Sequence, residues 1–245
     1  AIDGCHSRPA LYVRRATSYQ RRTRMHDEGV IKFTARHEQR RLEPRTYGEL
    51  ACTLTAWREI FSKTELVGQD PARYGGAGYG NVSGRVQAPS APRGQRAFLV
   101  TGTQTGGERT LSLEQYCVVT RYEERHNRVD SFGAIAPSSE SMTHGAIYDL
   151  SPHIRFVFHA HTPVIWQRAA ALRLPTTRPE VPYGTPEMAR EMYRLYTTTP
   201  LPELRILAMG GHEDGIIVFG KTAEEAGEVM LRHLARAYGM VCAAR

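Results

Sequence analysis

The triplet His159-Ala160-His161 closes an apolar run that begins at Ile154, and it limits what this part of the chain can become. A helix sends residues two apart to nearly opposite sides, whereas a strand returns its side-chain direction every second residue. Read as the end of a buried strand, the run therefore presents both imidazoles on one rigid face, close enough to grip a single cation. A third histidine, His212, lies in the stretch Arg205 to Phe219, where apolar residues flank a Gly-Gly-His-Glu-Asp-Gly sequence. That pattern reads as strand, turn, strand. Three imidazoles with one position left open make a donor set suited to catalytic zinc or a related divalent ion. The spacing alone is also compatible with histidines at strand ends bonded to backbone or water.

The formal charge of +7 invites a nucleic-acid reading until its distribution is considered. Residues 1–24 hold Arg8, Arg14, Arg15, Arg21, Arg22 and Arg24 against Asp3 alone, a net of +5 that leaves +2 for the remainder. The rest is nearly neutral, so no basic nucleic-acid groove is expected. No apolar stretch reaches the roughly 18 residues of a membrane span, and a soluble protein without a membrane partner is expected. The Arg-rich head is set apart as an arm: a mobile segment, a transit-type segment, or translated sequence upstream of Met25. Residues 25–245 are expected to form one domain, cytoplasmic by default and mitochondrial if residues 1–24 are a transit segment. Cys5, Cys52, Cys117 and Cys242 show no paired spacing and read as reduced, buried thiols.

Local signals place the other elements. Thr46-x-x-Glu49 reads as a capping box before Leu50, Leu54, Trp57 and Phe61, predicting a helix of about four turns that ends near Leu66. Gly75 to Ser83 is either a turn between helix and strand or a backbone that approaches an anion, with Asn81 and Ser83 offering hydrogen bonds. Ala97–Thr101 and Tyr116–Thr120 read as buried strands. Pro137-Ser138-Ser139-Glu140 predicts a helix start with a serine cap and Glu140 in the first turn. Thr185-Pro186-Glu187 opens another helix, burying Met188, Met192 and Leu195. Thr222-x-x-Glu225 caps a last one, burying Ala226, Met230, Leu234 and Ala237. Strands and helices intermingle without repeats, which favours a single α/β domain with helices on both faces of a sheet.

Taken in order, Gly80-Asn81-Val82-Ser83, Val100-Thr101-Gly102-Thr103, Pro137-Ser138-Ser139-Glu140, His159-Ala160-His161-Thr162-Pro163 and His212 before Gly215–Gly220 resemble the class II aldolase/adducin family, from about Thr46 to Ala237. The resemblance implies a three-layer α/β/α fold around a mainly antiparallel central sheet, assembled as a homotetramer. It implies a lyase of aldolase type acting on a small hydroxy-carbonyl compound, phosphorylated or not, through a metal-stabilised enediolate. His159, His161 and His212 match the metal ligands, with zinc first and manganese, iron or cobalt as alternatives. Glu140 matches the acid/base carboxylate. Asn81, Ser83, Thr101, Ser138 and Ser139 match the region that holds a substrate phosphate.

His144 also matches a family position and reads as a supporting residue; Tyr183, in a turn that resembles the family's Pro-Tyr turn, reads as packing, and Glu213 and Asp214 read as a solvated turn or as residues that orient the metal shell. Two departures weaken the match to a standard sugar-phosphate aldolase. The loop Thr101 to Gly107 is longer than the family's usual Thr-Pro-Ser/Thr-Gly, and the segment from His161 to Pro182 is short. Epimerase, dehydratase and decarboxylase chemistry use the same enediolate. An Fe(II) oxygenase built on the same histidines and a non-catalytic, adducin-like assembly module are further alternatives.

Overall fold

Strands and helices alternate irregularly along the chain, so most strand neighbours in the sheet are brought together by crossovers or hairpins of very different length. The computed structural model describes residues 29–86 and 90–243. The expectations for the Arg-rich arm, Met25 and Cys5 lie outside these residues. In order, the elements are β1 (Thr34–Gln39), α1 (Pro44–Lys63), β2 (Gly68–Gln69), β3 (Gly78–Tyr79), β4 (Asn81–Arg85), β5 (Phe98–Thr101), β6 (Tyr116–Glu123), β7 (Arg128–Gly133), α2 (Ser141–Leu150), β8 (Phe156–His161), α3 (Pro163–Trp166), α4 (Pro186–Thr198), α5 (Leu201–Leu204), β9 (Ile206–Ala208), β10 (Gly215–Gly220) and α6 (Ala223–Ala243).

Eight strands form one sheet in the order β1-β7-β6-β5-β4-β8-β10-β9, and β2 and β3 form a small hairpin. The β1–β7 pair is parallel, and the other pairs are antiparallel. This is the expected three-layer α/β/α arrangement. One core lies beneath α1, α3 and α6, where Leu54, Phe61, Ile165 and Met230 meet Val82, Phe158 and Val218 of the sheet. The other lies beneath α2 and α4, where Met142, Ile147, Met188, Met192 and Leu195 meet Phe98, Val100, Val157 and Ile217. Alternation along β8 thus sends Phe158 and Ala160 to the α1 side and Val157 to the α2–α4 side. His159 and His161 follow Val157.

Helix ends show where structure and sequence expectation part. The helix expected behind Thr46 begins at Pro44, with Glu43 as N-cap and no side-chain cap bond. Proline is pre-set for the first helical position and gives up an N–H that would have no partner there, so Thr46 falls inside the first turn and is not its cap. Helix α1 ends at Lys63, a turn before Leu66, and Leu66 and Val67 are buried after it. The Thr222 cap follows expectation, and Thr185 caps the helix it is expected to open. Thr185 accepts the Met188 N–H at 3.3 Å before α4, and Thr222 accepts the Glu225 N–H at 3.2 Å before α6. Of the described cysteines, Cys117 is buried, but Cys52 and Cys242 are exposed on the outer faces of α1 and α6, contrary to the expectation of buried thiols. No helix among the described residues is long and apolar enough to cross a membrane.

Candidate metal centre

Sheet register brings the third histidine to the first two. Ile217 of β10 stands opposite His159 and Gly215 opposite His161, so the turn that precedes Gly215 hangs over the end of β8. His159 Nε2 and His161 Nε2 are 3.1 Å apart. The His212 ring centroid lies 4.7 Å from that of His161 and 5.1 Å from that of His159. One donor nitrogen from each histidine lies within 4.8 Å of the other two.

Two nitrogens bound tetrahedrally at zinc distance stand about 3.3 Å apart, so the His159–His161 separation already has the required size. His159 Nδ1 lies 3.2 Å from the Ile216 carbonyl. A donor there leaves the Nε2 lone pair facing inward, the tautomer that ligation needs. All three imidazoles are buried. Burial, followed by the neighbouring His212 and His159, holds His161 well below the ordinary imidazole range, so it is neutral at pH 7. Buried nitrogen donors at this spacing fit a borderline divalent ion.

Glu140 stands beside them. The helix expected from Pro137 begins at Ser141, with Glu140 as its N-cap residue and not in its first turn. Neither Ser138 nor Ser139 caps it; Ser138 Oγ accepts the Glu140 N–H at 3.3 Å instead. The Glu140 carboxylate makes no cap bond to the helix, and its Oε1 lies instead 3.2 Å from His212 Nδ1. Burial pushes this carboxyl up, but His212 alongside it and then His159 outweigh burial and hold it at about 2. The side chain is 2% exposed, and neither oxygen makes an aligned hydrogen bond. A buried, ionised carboxylate held by an imidazole and not by its own helix start marks chemistry more than packing.

The residues matched to a substrate phosphate divide into two groups. Asn81 pairs with His159 across β4 and β8, is buried, and its Oδ1 has no hydrogen-bond partner. Ser138 and Ser139 are buried immediately before Glu140. Ser83, by contrast, is fully enclosed; its hydroxyl lies 2.7 Å from His144 Nδ1, 2.7 Å from the Tyr148 hydroxyl and 3.3 Å from the Val157 carbonyl. The Thr101 hydroxyl accepts the Val82 N–H at 3.3 Å. Asn81 and the Ser138–Glu140 segment flank the histidines, while Ser83 and Thr101 bind the interior. His144 joins α2 to β4 through Ser83, and burial followed by His159 lowers it to about 3, leaving it neutral.

The loop from Thr101 to Gly107 is pinned in place: Arg58 Nη2 donates to the Thr105 carbonyl at 2.7 Å. Gly80 precedes Asn81 with φ 76°, and a Cβ there would fall 2.5 Å from Val67. The glycine-rich run is therefore a tight entry into β4, and only a residue without a side chain fits.

Around the site, Lys32 and Tyr74 carry no recognisable sequence signal, whereas Tyr183 and Asp214 are expected as packing and turn residues. Tyr183 stacks on His212 with centroids 4.4 Å apart, and Lys32 Nζ stands 3.7 Å from the Tyr183 centroid. Tyr74 meets His161 edge-on at 4.7 Å. Asp214, expected in a solvated turn, is buried, because its carboxylate accepts the Tyr74 hydroxyl at 2.7 Å; Glu213 is exposed as expected. Of two wide surface clefts, of about 710 Å³ and 430 Å³, neither is lined by a histidine. Chemistry, and not cavity size, identifies the site.

A mainly antiparallel sheet between helical layers, with three buried imidazoles and a carboxylate gathered at one strand end, defines an α/β/α protein with a built donor cluster. The family model described as "Class II Aldolase and Adducin N-terminal domain" matches residues 72–238, and the chain belongs to that family. No curated protein matches it closely enough to add a relative.

Solved structures share the fold at low identity. L-fuculose-1-phosphate aldolase from Thermus thermophilus is 18% identical, covering 80% of this chain and 95% of its own, with a TM-score of 0.57. An aldolase II superfamily protein from Pseudomonas syringae is 15% identical, covering 83% and 78%, with a TM-score of 0.57. A sugar-phosphate aldolase from Thermotoga maritima is 14% identical, covering 82% and 97%, with a TM-score of 0.55.

Proposed function

We propose that the protein is a metal-dependent lyase of aldolase type, acting on a small hydroxy-carbonyl compound. The carrying observation is the convergence of His159, His161 and His212 within 4.8 Å of one another, with Glu140 Oε1 3.2 Å from His212. These three histidines are the proposed ligands of one divalent ion per subunit, zinc first. When bound, such an ion supplies the positive charge that polarises a carbonyl and steadies an enediolate.

The chain's own residues supply the rest. Glu140 moves a proton between the substrate carbon or oxygen and solvent, as the buried, ionised carboxylate that stands against the histidines. Asn81, whose Oδ1 is free, orients a hydroxyl of the substrate. Ser138 and Ser139 hold an oxyanion of the substrate at the start of α2, where the helix dipole favours negative charge. Ser83 and Thr101 act indirectly, the first by fixing His144 and Tyr148 and the second by fixing the backbone of Val82. Tyr183, Tyr74 and the sheet exclude water from the imidazoles. Assembly as a homotetramer in the cytoplasm completes the proposal.

Elemental analysis of the purified protein, followed by a screen of ketose phosphates and hydroxy acids with the metal found, tests this reading. Stoichiometric divalent metal and carbon–carbon cleavage of one substrate class are expected. Absence of metal from protein supplied with zinc and cobalt would overturn it.

A further inference from the structure

We propose that Tyr74 and Asp214 form a strut that positions the imidazoles of His161 and His212. They act as positioning residues and not as ligands. The inference rests on the three-histidine reading and adds to it a device that neither the family motifs nor the spacing of histidines contains.

Asp214 is the third residue of the turn His212-Glu213-Asp214-Gly215, which the Gly215 N–H closes on the His212 carbonyl at 3.0 Å. Its φ is 62°, a region where glycine is the ordinary occupant. Tyr74, far away in sequence, also has a left-handed backbone, with φ 50°. Two strained positions are thus joined by one hydrogen bond, from the Tyr74 hydroxyl to Asp214 Oδ2 at 2.7 Å. Strain of this kind persists where the surroundings over-determine it, and such positions cluster at functional sites.

The strut reaches both ligands. The Tyr74 ring meets His161 edge-on at 4.7 Å, and Tyr79 flanks the same imidazole at 5.7 Å. Arg73 ties the two tyrosines together, donating to the Tyr74 hydroxyl at 2.7 Å and to the Tyr79 hydroxyl at 3.0 Å. Asp214 stands two residues after His212, and its carbonyl accepts the N–H of Thr162, the residue after His161, at 2.9 Å. One residue therefore holds the strand end that carries His161, the turn that carries His212, and the ring that packs against His161. Asp214 itself is outside the donor cluster, so its carboxylate acts through Tyr74 and the turn.

The test uses the whole chain and Co²⁺ as the probe, with affinity read by chelator competition and geometry by the visible absorption bands. Tyr74→Phe, Asp214→Asn and Asp214→Gly are each expected to weaken Co²⁺ binding about 10- to 100-fold and to alter the bands, as loss of an outer partner of a metal site does. Asp214→Gly relieves the backbone, so its Tm should hold or rise while Co²⁺ affinity falls. A residue with only a structural role would not produce that split. The double variant Tyr74→Phe/Asp214→Gly should bind no more weakly than the weaker single variant, because both remove one hydrogen bond. Unchanged affinity and bands in Tyr74→Phe and Asp214→Gly, or fully additive losses in the double variant, would overturn the strut. A wild-type chain that binds no Co²⁺ would instead remove the three-histidine reading on which it rests.

Discussion

Glu140 Oε1 and His212 Nδ1 meet at 3.2 Å although they reach each other from different layers, the carboxylate from the start of α2 and the imidazole from the β9–β10 turn. A carboxylate at a helix N-cap ordinarily serves the N–H groups of its own helix. Here it faces an imidazole, and the helix start is left without a side-chain cap. Local helix stability is given up to set a base beside a donor cluster.

Glu140→Gln should keep the metal content of the wild type and lower turnover by about 10²- to 10⁴-fold, the usual contribution of a positioned acid or base. Elemental analysis alongside steady-state kinetics checks both halves. An unaltered rate would show that another group moves the proton.

Replacement of His159 or His212 by Ala should bring bound metal to background, since two remaining nitrogens do not make a closed donor set. Chelator treatment of the wild type should abolish turnover, with recovery on adding Zn²⁺ or Co²⁺ and none on adding Mg²⁺, a cation that prefers oxygen donors. Recovery with Mg²⁺ alone would contradict a site made of imidazoles.

Glu191 clamps the segment that leads to Tyr183. It accepts Arg194 Nε at 2.7 Å and the Arg178 N–H at 2.9 Å, and the side chain is nearly enclosed. The Arg194 hydrogen bond, acting against burial, holds its carboxyl below the usual range. A lowered folded-state value means that this contribution is present above the unfolded-state value and is lost as pH falls through the folded one. Glu191→Gln should therefore cost roughly 1–3 kcal/mol at neutral pH, and it should flatten the acid limb of stability against pH. Urea unfolding between pH 3 and 7, a range spanning the ordinary carboxylate titration at about 4, measures this. Equal stability of the two proteins at pH 7 would remove the clamp.

Gly227 lets α6 lie against α1. A Cβ there would fall 2.1 Å from the Trp57 ring, whereas one at Gly239 would meet nothing within 4 Å. Gly227→Ala should lower stability by about 1–3 kcal/mol through overpacking. Gly239→Ala should be neutral or raise it by about 0.4–1 kcal/mol. Thermal unfolding of the pair distinguishes a specific contact from general helix propensity.

The parts of the fold legible in sequence are those whose signal is local. Strand β8 is visible in the short apolar run that ends with His159 and His161, two positions apart. The stripe Met188, Met192, Leu195 with Thr185 before it announces α4, and Thr222 with Glu225 announces α6. Strand β1 is not legible, because Thr34–Gln39 is an edge strand, largely exposed, whose polar residues carry no alternation. The start of α1 is obscured because Thr46 and Glu49 imitate a cap that Pro44 makes unnecessary. In the site, the histidines and Glu140 are recognisable from motif order; Asp214 is legible only as a turn residue that could face either solvent or the metal shell, and Tyr74 is not legible at all. Their hydrogen bond spans 140 positions and depends on a left-handed backbone at each end, which no local pattern announces. Ser83 and Asn81 look equivalent in sequence, and depth in the sheet separates them.

The pairing of β8 with β10, residue for residue from Gly215–His161 to Gly220–Phe156, carries a thermodynamic consequence. Slippage by one position would turn every side chain of a strand to the opposite face, so the backbone ladder itself sets where the nitrogens stand. Cation capture at the proposed site would then be docking onto a finished receptacle, unlike small domains that stay unfolded until an ion arrives. Saturating ion should raise the melting temperature only by mass action, and ion depletion should leave the architecture standing.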